Sequence, residues 1–139
     1  MKAGIKFIIF FFAAWLTTAE SCKKPSAPVP TGGGKGGNAT ITVIPEHHGL
    51  YVDTCTIYIK YNSLDMPSNG VYDDSVVCVL TDTIPVAVFP GLKKGDYYIF
   101  GRGYHTLYVP PYVKGGLPCK ISTEDTVKVY LPTYSYSGL

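Results

Sequence analysis

From residue 38 onward the chain alternates, and that alternation limits its fold more than any other feature. In residues 50–61 (LYVDTCTIYIKY), Cys55, Ile57, Ile59 and Tyr61 fall on one side of an extended backbone, and Thr54, Thr56, Tyr58 and Lys60 fall on the other. A period of two marks a strand with one face buried. Residues 39–44 (ATITVI) set Ile41 and Val43 on one face, and residues 85–89 do the same for Val86 and Val88. Residues 97–104 group Tyr97, Ile99 and Gly101, and residues 126–131 turn Val127, Val129 and Leu131 inward. Shorter strands are read at 76–80 and 120–122. Turn signals separate them: Pro67, Asn69-Gly70 and Asp73-Asp74 within 64–75, Asp82, and the run GLKKGD at 91–96. Residues 109–119, rich in Pro and Gly, read as a loop. All twelve tyrosines lie between Tyr51 and Tyr136, among many Val, Ile and Thr, the side chains that suit a pleated surface. Seven or so short strands predict an all-β domain over residues 38–139, an antiparallel seven-stranded sandwich.

The N-terminus obeys a different rule. Lys2 and Lys6 precede ten apolar residues, 7–16 (FIIFFFAAWL). Crossing a membrane takes about 20 such residues. Ten match the apolar core of a secretory signal. The chain then turns small and polar up to Ser21-Cys22. A small residue directly before a cysteine, just past the apolar core, resembles the lipobox of bacterial lipoproteins, although Ala19 stands where the usual box carries Leu. The resemblance implies that residues 1–21 are a signal peptide, that Cys22 takes a diacylglycerol, and that residues 22–139 are the mature chain. Each buried CH2 contributes about 0.8 kcal/mol of membrane affinity, so two or more acyl chains anchor stably. Residues 22–37 (CKKPSAPVPTGGGKGG) read as a Pro/Gly-rich tether with a reach on the order of 20 Å. Without Lys2, Lys6 and Glu20 the basic and acidic residues nearly balance, so the chain lacks the footprint of a nucleic-acid binder.

Residues 86–104 (VAVFPGLKKGDYYIFGRGY) carry a second resemblance. An apolar strand, Gly91-Leu92, two residues, Gly95-Asp96-Tyr97, a strand and Gly103-Tyr104 are similar to a segment of transthyretin-like sandwiches. These include Cna-B-type repeats and carboxypeptidase-regulatory-like domains. With residues 113–118 and the strand ending at Leu131, the segment resembles the C-terminal half of small Bacteroidota envelope lipoproteins. The resemblance implies a transthyretin-like or immunoglobulin-like sandwich. Leu92 would plug one end, Gly91 and Gly95 would supply positive φ, and Tyr97 would act as a corner tyrosine bonded to backbone. In surface-exported Bacteroidota lipoproteins the residues after the cysteine are typically acidic. Here they are Lys23-Lys24, which implies the periplasmic face of the outer membrane.

Beyond Cys22 the cysteines are 55, 78 and 119. Cys55 and Cys78 sit in strands and would close a loop of about 23 residues, worth roughly 3 kcal/mol as a disulfide. The alternative is three small buried hydrophobes. His47, His48 and His105 could bind a metal, but adjacent residues of an extended chain point apart, and turn roles are the expectation. Asp65, Asn69, Asp73 and Asp74 match no calcium-loop spacing. No metal or cofactor is expected. The densest aromatic segment gives the candidate ligand loop: Tyr104, His105, Tyr108 and Tyr112. Large amphipathic rings there would stack on a sugar or grip a protein. G-x-S-x-G and H-E-x-x-H are absent from the sequence. Three functions are therefore carried forward. The first is a non-enzymatic protein-interaction or structural module of the envelope, the second a glycan-binding accessory lipoprotein, and the third an envelope hydrolase.

Overall fold

The computed structural model describes residues 32–137. The expected signal peptide, the expected lipid acceptor Cys22 and the expected tether as far as Thr31 lie outside the described residues. The described chain forms ten strand segments: β1 (Lys35–His47), β2 (Leu50–Tyr51), β3 (Thr54–Tyr61), β4 (Asp74–Val77), β5 (Val79–Thr81), β6 (Ile84–Leu92), β7 (Gly95–Tyr104), β8 (Tyr112–Ile121), β9 (Thr126–Pro132) and β10 (Tyr134–Ser135). They make two five-stranded sheets packed as a sandwich. The first has the order β2-β1-β6-β5, with β9 against β1; the second has the order β10-β8-β7-β3-β4. The all-β sandwich expected from the alternation is what forms. One pairing departs from the antiparallel rule: β1 runs parallel to β9, from Thr40↔Thr126 to Glu46↔Pro132.

The alternation decides which side chains meet between the sheets. Ile57 and Ile59 from β3 and Tyr97 and Ile99 from β7 face Ile41 and Val43 from β1, Ala87 and Phe89 from β6, and Val129 and Leu131 from β9. All are buried, and fully burying a large apolar side chain contributes about 1.5–3 kcal/mol. In β6 the inward set is Pro85, Ala87 and Phe89; Val88 is exposed on the outer side. Leu92 is fully buried, and Gly91 (φ 70°) and Gly95 (φ 152°) take the backbone through the reversal between β6 and β7. The Tyr97 hydroxyl donates to the Lys93 carbonyl at 2.6 Å and accepts from the Gly34 N–H at 2.9 Å. It is thus a corner tyrosine bonded four residues upstream, and burial pushes its pKa up.

That second bond moves a boundary. The domain expected to start at residue 38 already includes Gly34, and Lys35 pairs with Leu92. Glycines that read as flexible linker are held here because they let the backbone lie close against Leu92 and Tyr97. Residues 109–119 also differ from expectation, for they belong largely to β8 and not to a loop. Gly116 lies beneath the Tyr98 ring, and Pro118 sits where β8 has no second neighbour among the described residues, as edge-strand prolines do. His48 and Gly49, with φ of 50° and 78°, make the two-residue turn between β1 and β2.

Candidate functional site

The aromatic segment 104–112 is divided between two places. Tyr104 and Tyr112 face each other across β7 and β8, rings 5.8 Å apart, on the outer face of the second sheet. His105 turns the other way and is buried. The His105 N–H donates to the Pro111 carbonyl at 2.8 Å, which closes the loop. Tyr108 then folds edge-on against His47 (4.5 Å) and His105 (4.8 Å). The four residues of the candidate ligand loop therefore do not share one surface.

The buried half is a closed cluster. His47 is wholly buried, and its Nδ1 lies 2.8 Å from the Thr133 carbonyl. A carbonyl only accepts, so Nδ1 carries the proton, and Nε2 accepts from the Ser135 hydroxyl at 3.1 Å. His47 and His48 do not point apart as an extended chain would require. The left-handed turn brings their rings to 4.3 Å. Asp53 accepts from the Thr106 N–H (2.6 Å) and hydroxyl (2.7 Å). Those bonds hold its carboxyl below the usual range. Ser135 next to His47 has the look of a nucleophile beside a base. Yet the third partner is a backbone carbonyl, which orients the ring without supplying charge, and Asp53 is engaged with Thr106. What the contacts accomplish is to tie β1, the 105–111 loop and β10 together.

The outer face of the second sheet is open. Tyr58 of β3 lies opposite Phe100 of β7, Arg102 opposite Lys114 of β8, and Tyr104 opposite Tyr112. Residues 62–73 fold back beside this grid. Tyr72 stacks on Phe100 at 5.6 Å with 14° between planes and sits 5.5 Å from Tyr58. From the other side the C-terminal tail returns. The Tyr136 N–H donates to the Tyr112 carbonyl at 2.9 Å, and the Lys114 ammonium stands 4.5 Å above the Tyr136 ring. The neighbouring Tyr136 side chain pushes the pKa of the Arg102 guanidinium further up. The result is a groove of about 710 Å³, with Phe100 and Arg102 as floor, Met66, Pro67 and Tyr72 as one wall, and Tyr112, Lys114 and Tyr136 as the other. Small-molecule sites commonly measure about 300–1,000 Å³. Two shallower depressions adjoin it, one past Tyr58 and Tyr72 towards Ser75, the other past Arg102 towards Thr54. Together they make a trough along the sheet.

Charge is uneven along it. At one end Asp73 bonds Lys60 (3.0 Å) and the Tyr61 N–H (2.6 Å), and Asp74 bonds Lys35 (3.0 Å). Lys35 holds Asp74 below the usual carboxylate range, and burial with the two neighbouring carboxylates pushes Tyr61 up to about 12. At the other end Arg102 and Lys114 have no carboxylate among the residues that line the groove. Among the described residues no group of three His, Cys, Asp or Glu side chains is placed to hold a metal ion.

The sequence reading named Tyr112 of this groove and passed over Tyr58, Tyr72, Phe100 and Arg102. A signal for two of them was present: Tyr58 and Phe100 occupy outward positions in strands whose inward face is already apolar. Aromatic side chains gathered into one exposed patch, unlike single ones scattered over a surface, mark an interaction site. Family models, curated proteins and solved structures were all compared with this chain, and none matches it.

Proposed function

We propose that this chain is a lipid-anchored, non-enzymatic binding module of the cell envelope, and that its outer-face trough takes a carbohydrate chain. The observation that carries the reading is the lining of the groove: Tyr58, Tyr72, Phe100, Tyr112 and Tyr136 offer ring surface, with Arg102 and Lys114 among them. Sugar rings present apolar C–H faces that stack on aromatic rings, while hydroxyl and acidic groups take hydrogen bonds from Arg and Lys. Rings fixed by stacking lose little conformational freedom on binding, which favours affinity. The adjoining depressions suit a linear chain over a single sugar. The anchor at Cys22, on the periplasmic face of the outer membrane, belongs to the same proposal and is supported by the apolar run 7–16 and Ser21-Cys22. So does kinship with transthyretin-like or immunoglobulin-like sandwiches, supported by the Tyr97 corner and the buried Leu92.

A second reading, a module that grips an envelope protein, draws on a different place. Val77, Val79 and Leu80 are each about two-thirds exposed on neighbouring edge segments. Exposed apolar edges are where partner strands add.

An array of neutral and acidic oligosaccharides tests the first reading. Binding is expected for at least one glycan class and is lost in Phe100→Ala. An empty array, or binding indifferent to Phe100→Ala, rejects the glycan in favour of a protein partner. Metabolic labelling with a palmitate analogue tests the anchor: label is expected on the intact chain and absent from Cys22→Ala.

A further inference from the structure

β4 ends and β5 begins on either side of one residue, Cys78, and there the chain leaves one sheet for the other. β4 pairs with β3 in the second sheet, and β5 pairs with β6 in the first. One step past the pair Thr56↔Val77, the same register sets Cys55 opposite Cys78. The Cys78 N–H donates to the Cys55 carbonyl at 2.8 Å. Opposed residues of such a hydrogen-bonded pair lie about 5.5 Å apart at Cα. A disulfide spans about 4.4–6.8 Å. Opposed residues also share a face: Cys55 is buried, and half-buried Cys78 packs against the same core. Both are free thiols in this structure, and the Cys55 thiol donates to the Thr56 carbonyl at 3.8 Å.

We propose that Cys55 and Cys78 form a disulfide that staples the chain where it passes between the sheets, closing the hairpin whose loop carries Met66, Pro67 and Tyr72. The bond itself is independent of any ligand; its influence on the groove rests on the glycan reading above.

The two thiols have unequal roles. The neighbouring Cys55 thiol lowers the pKa of Cys78, while the Cys78 thiol and burial raise that of Cys55. Cys78 is also the more exposed, so it reacts first. Its thiolate attacks one sulfur of an external disulfide, such as oxidised glutathione or the disulfide of a thiol oxidoreductase. The S–S bond of the oxidant breaks, one thiolate departs, and a mixed disulfide remains on Cys78. Cys55 passes its proton to the departed thiolate and attacks the Cys78 sulfur, expelling the second thiolate, which takes up from water the proton that Cys78 gave up. Two protein thiols are oxidised and one small disulfide is reduced to two thiols. Cys119 stays out of this exchange. It lies on β8, which pairs with neither β3 nor β4, and burial pushes its thiol up to about 11.

To test this, the full chain is incubated with oxidised glutathione, quenched in acid, alkylated under denaturing conditions and mapped by mass spectrometry. A peptide pair joined through Cys55 and Cys78 is expected, with Cys119 alkylated. Reduction should lower the thermal midpoint by about 10–20 °C. Recovery of both Cys55 and Cys78 as alkylated residues overturns the proposal, as does either one joined to Cys22 or Cys119. Cys78→Ser, at the half-buried position, must lose both the joined peptide and the redox dependence of the midpoint; persistence of that dependence also overturns it. Joined peptides from a protein that binds no glycan uphold the staple and reject the groove reading instead.

Discussion

Two aromatic clusters of similar size sit on this sandwich, and they are built to opposite ends. At the closed cluster, Tyr108 and the His47 and His105 rings meet edge to face, and one backbone carbonyl and one hydroxyl occupy the ring nitrogens of His47. At the open groove, Tyr72 and Phe100 stack with their remaining surface turned outward, and the charges beside them face solvent. The first cluster spends the His47 ring internally and leaves only the buried Nε2 of His105 without a partner among the described residues. The second holds its chemistry in reserve. Density of aromatic residues along a sequence does not separate the two cases; the direction each side chain takes from its strand does.

The contrast predicts that stability is lost by substitution at the closed cluster and affinity by substitution at the groove. The largest effect is expected for His47→Ala, which leaves a cavity and an unpaired Thr133 carbonyl: about 3 kcal/mol in denaturant unfolding. If it costs less than about 1 kcal/mol, the cluster is not the clasp described. Tyr97→Phe, which strips two buried backbone partners at the opposite corner, should cost about 1–3 kcal/mol in the same assay. Tyr72→Ala should lower glycan affinity about tenfold, which is about 1.4 kcal/mol, yet change unfolding free energy by no more than about 1 kcal/mol. Equal loss of stability and affinity would erase the distinction between the clusters. The smallest effect is that of acid. Asp53 beside the closed cluster and Asp74 beside the groove both have depressed pKa values. Their contribution is full above the ordinary carboxylate value of about 4 and is lost as pH falls through the depressed ones. Both are largely solvated, so the drop in thermal midpoint below about pH 4 should be slight, and Asp53→Asn should reduce it.

Much of the fold could be read before the structure because it rests on local rules. The outward and inward sets of β3, β7 and β9 follow from alternation alone, and the Leu92 plug and Tyr97 corner follow from a compact motif. β8 was hidden because its glycines and proline answer to neighbours distant in sequence: the Tyr98 ring over Gly116, and a vacant edge beside Pro118. Gly34, Gly36 and Gly37 read as tether for the same reason, since the Tyr97 hydroxyl that fixes Gly34 lies 63 residues away. The groove was legible only in pieces. Its lining comes from β3, the 62–73 loop, β7, β8 and the tail, and no window of sequence contains them together.

The parallel pairing of β1 with β9 has a mechanical consequence. A pull applied through the residues ahead of Gly32 enters at the start of β1 and runs along its length. The bonds to β9 from Thr40 to Glu46, and those to β6 from Ile41 to Val43, then bear load together in shear. They must break as a set, whereas a strand pulled sideways would unzip one bond at a time. If the proposed anchor and glycan both hold the chain, a pull between them would be resisted hardest along its central strand.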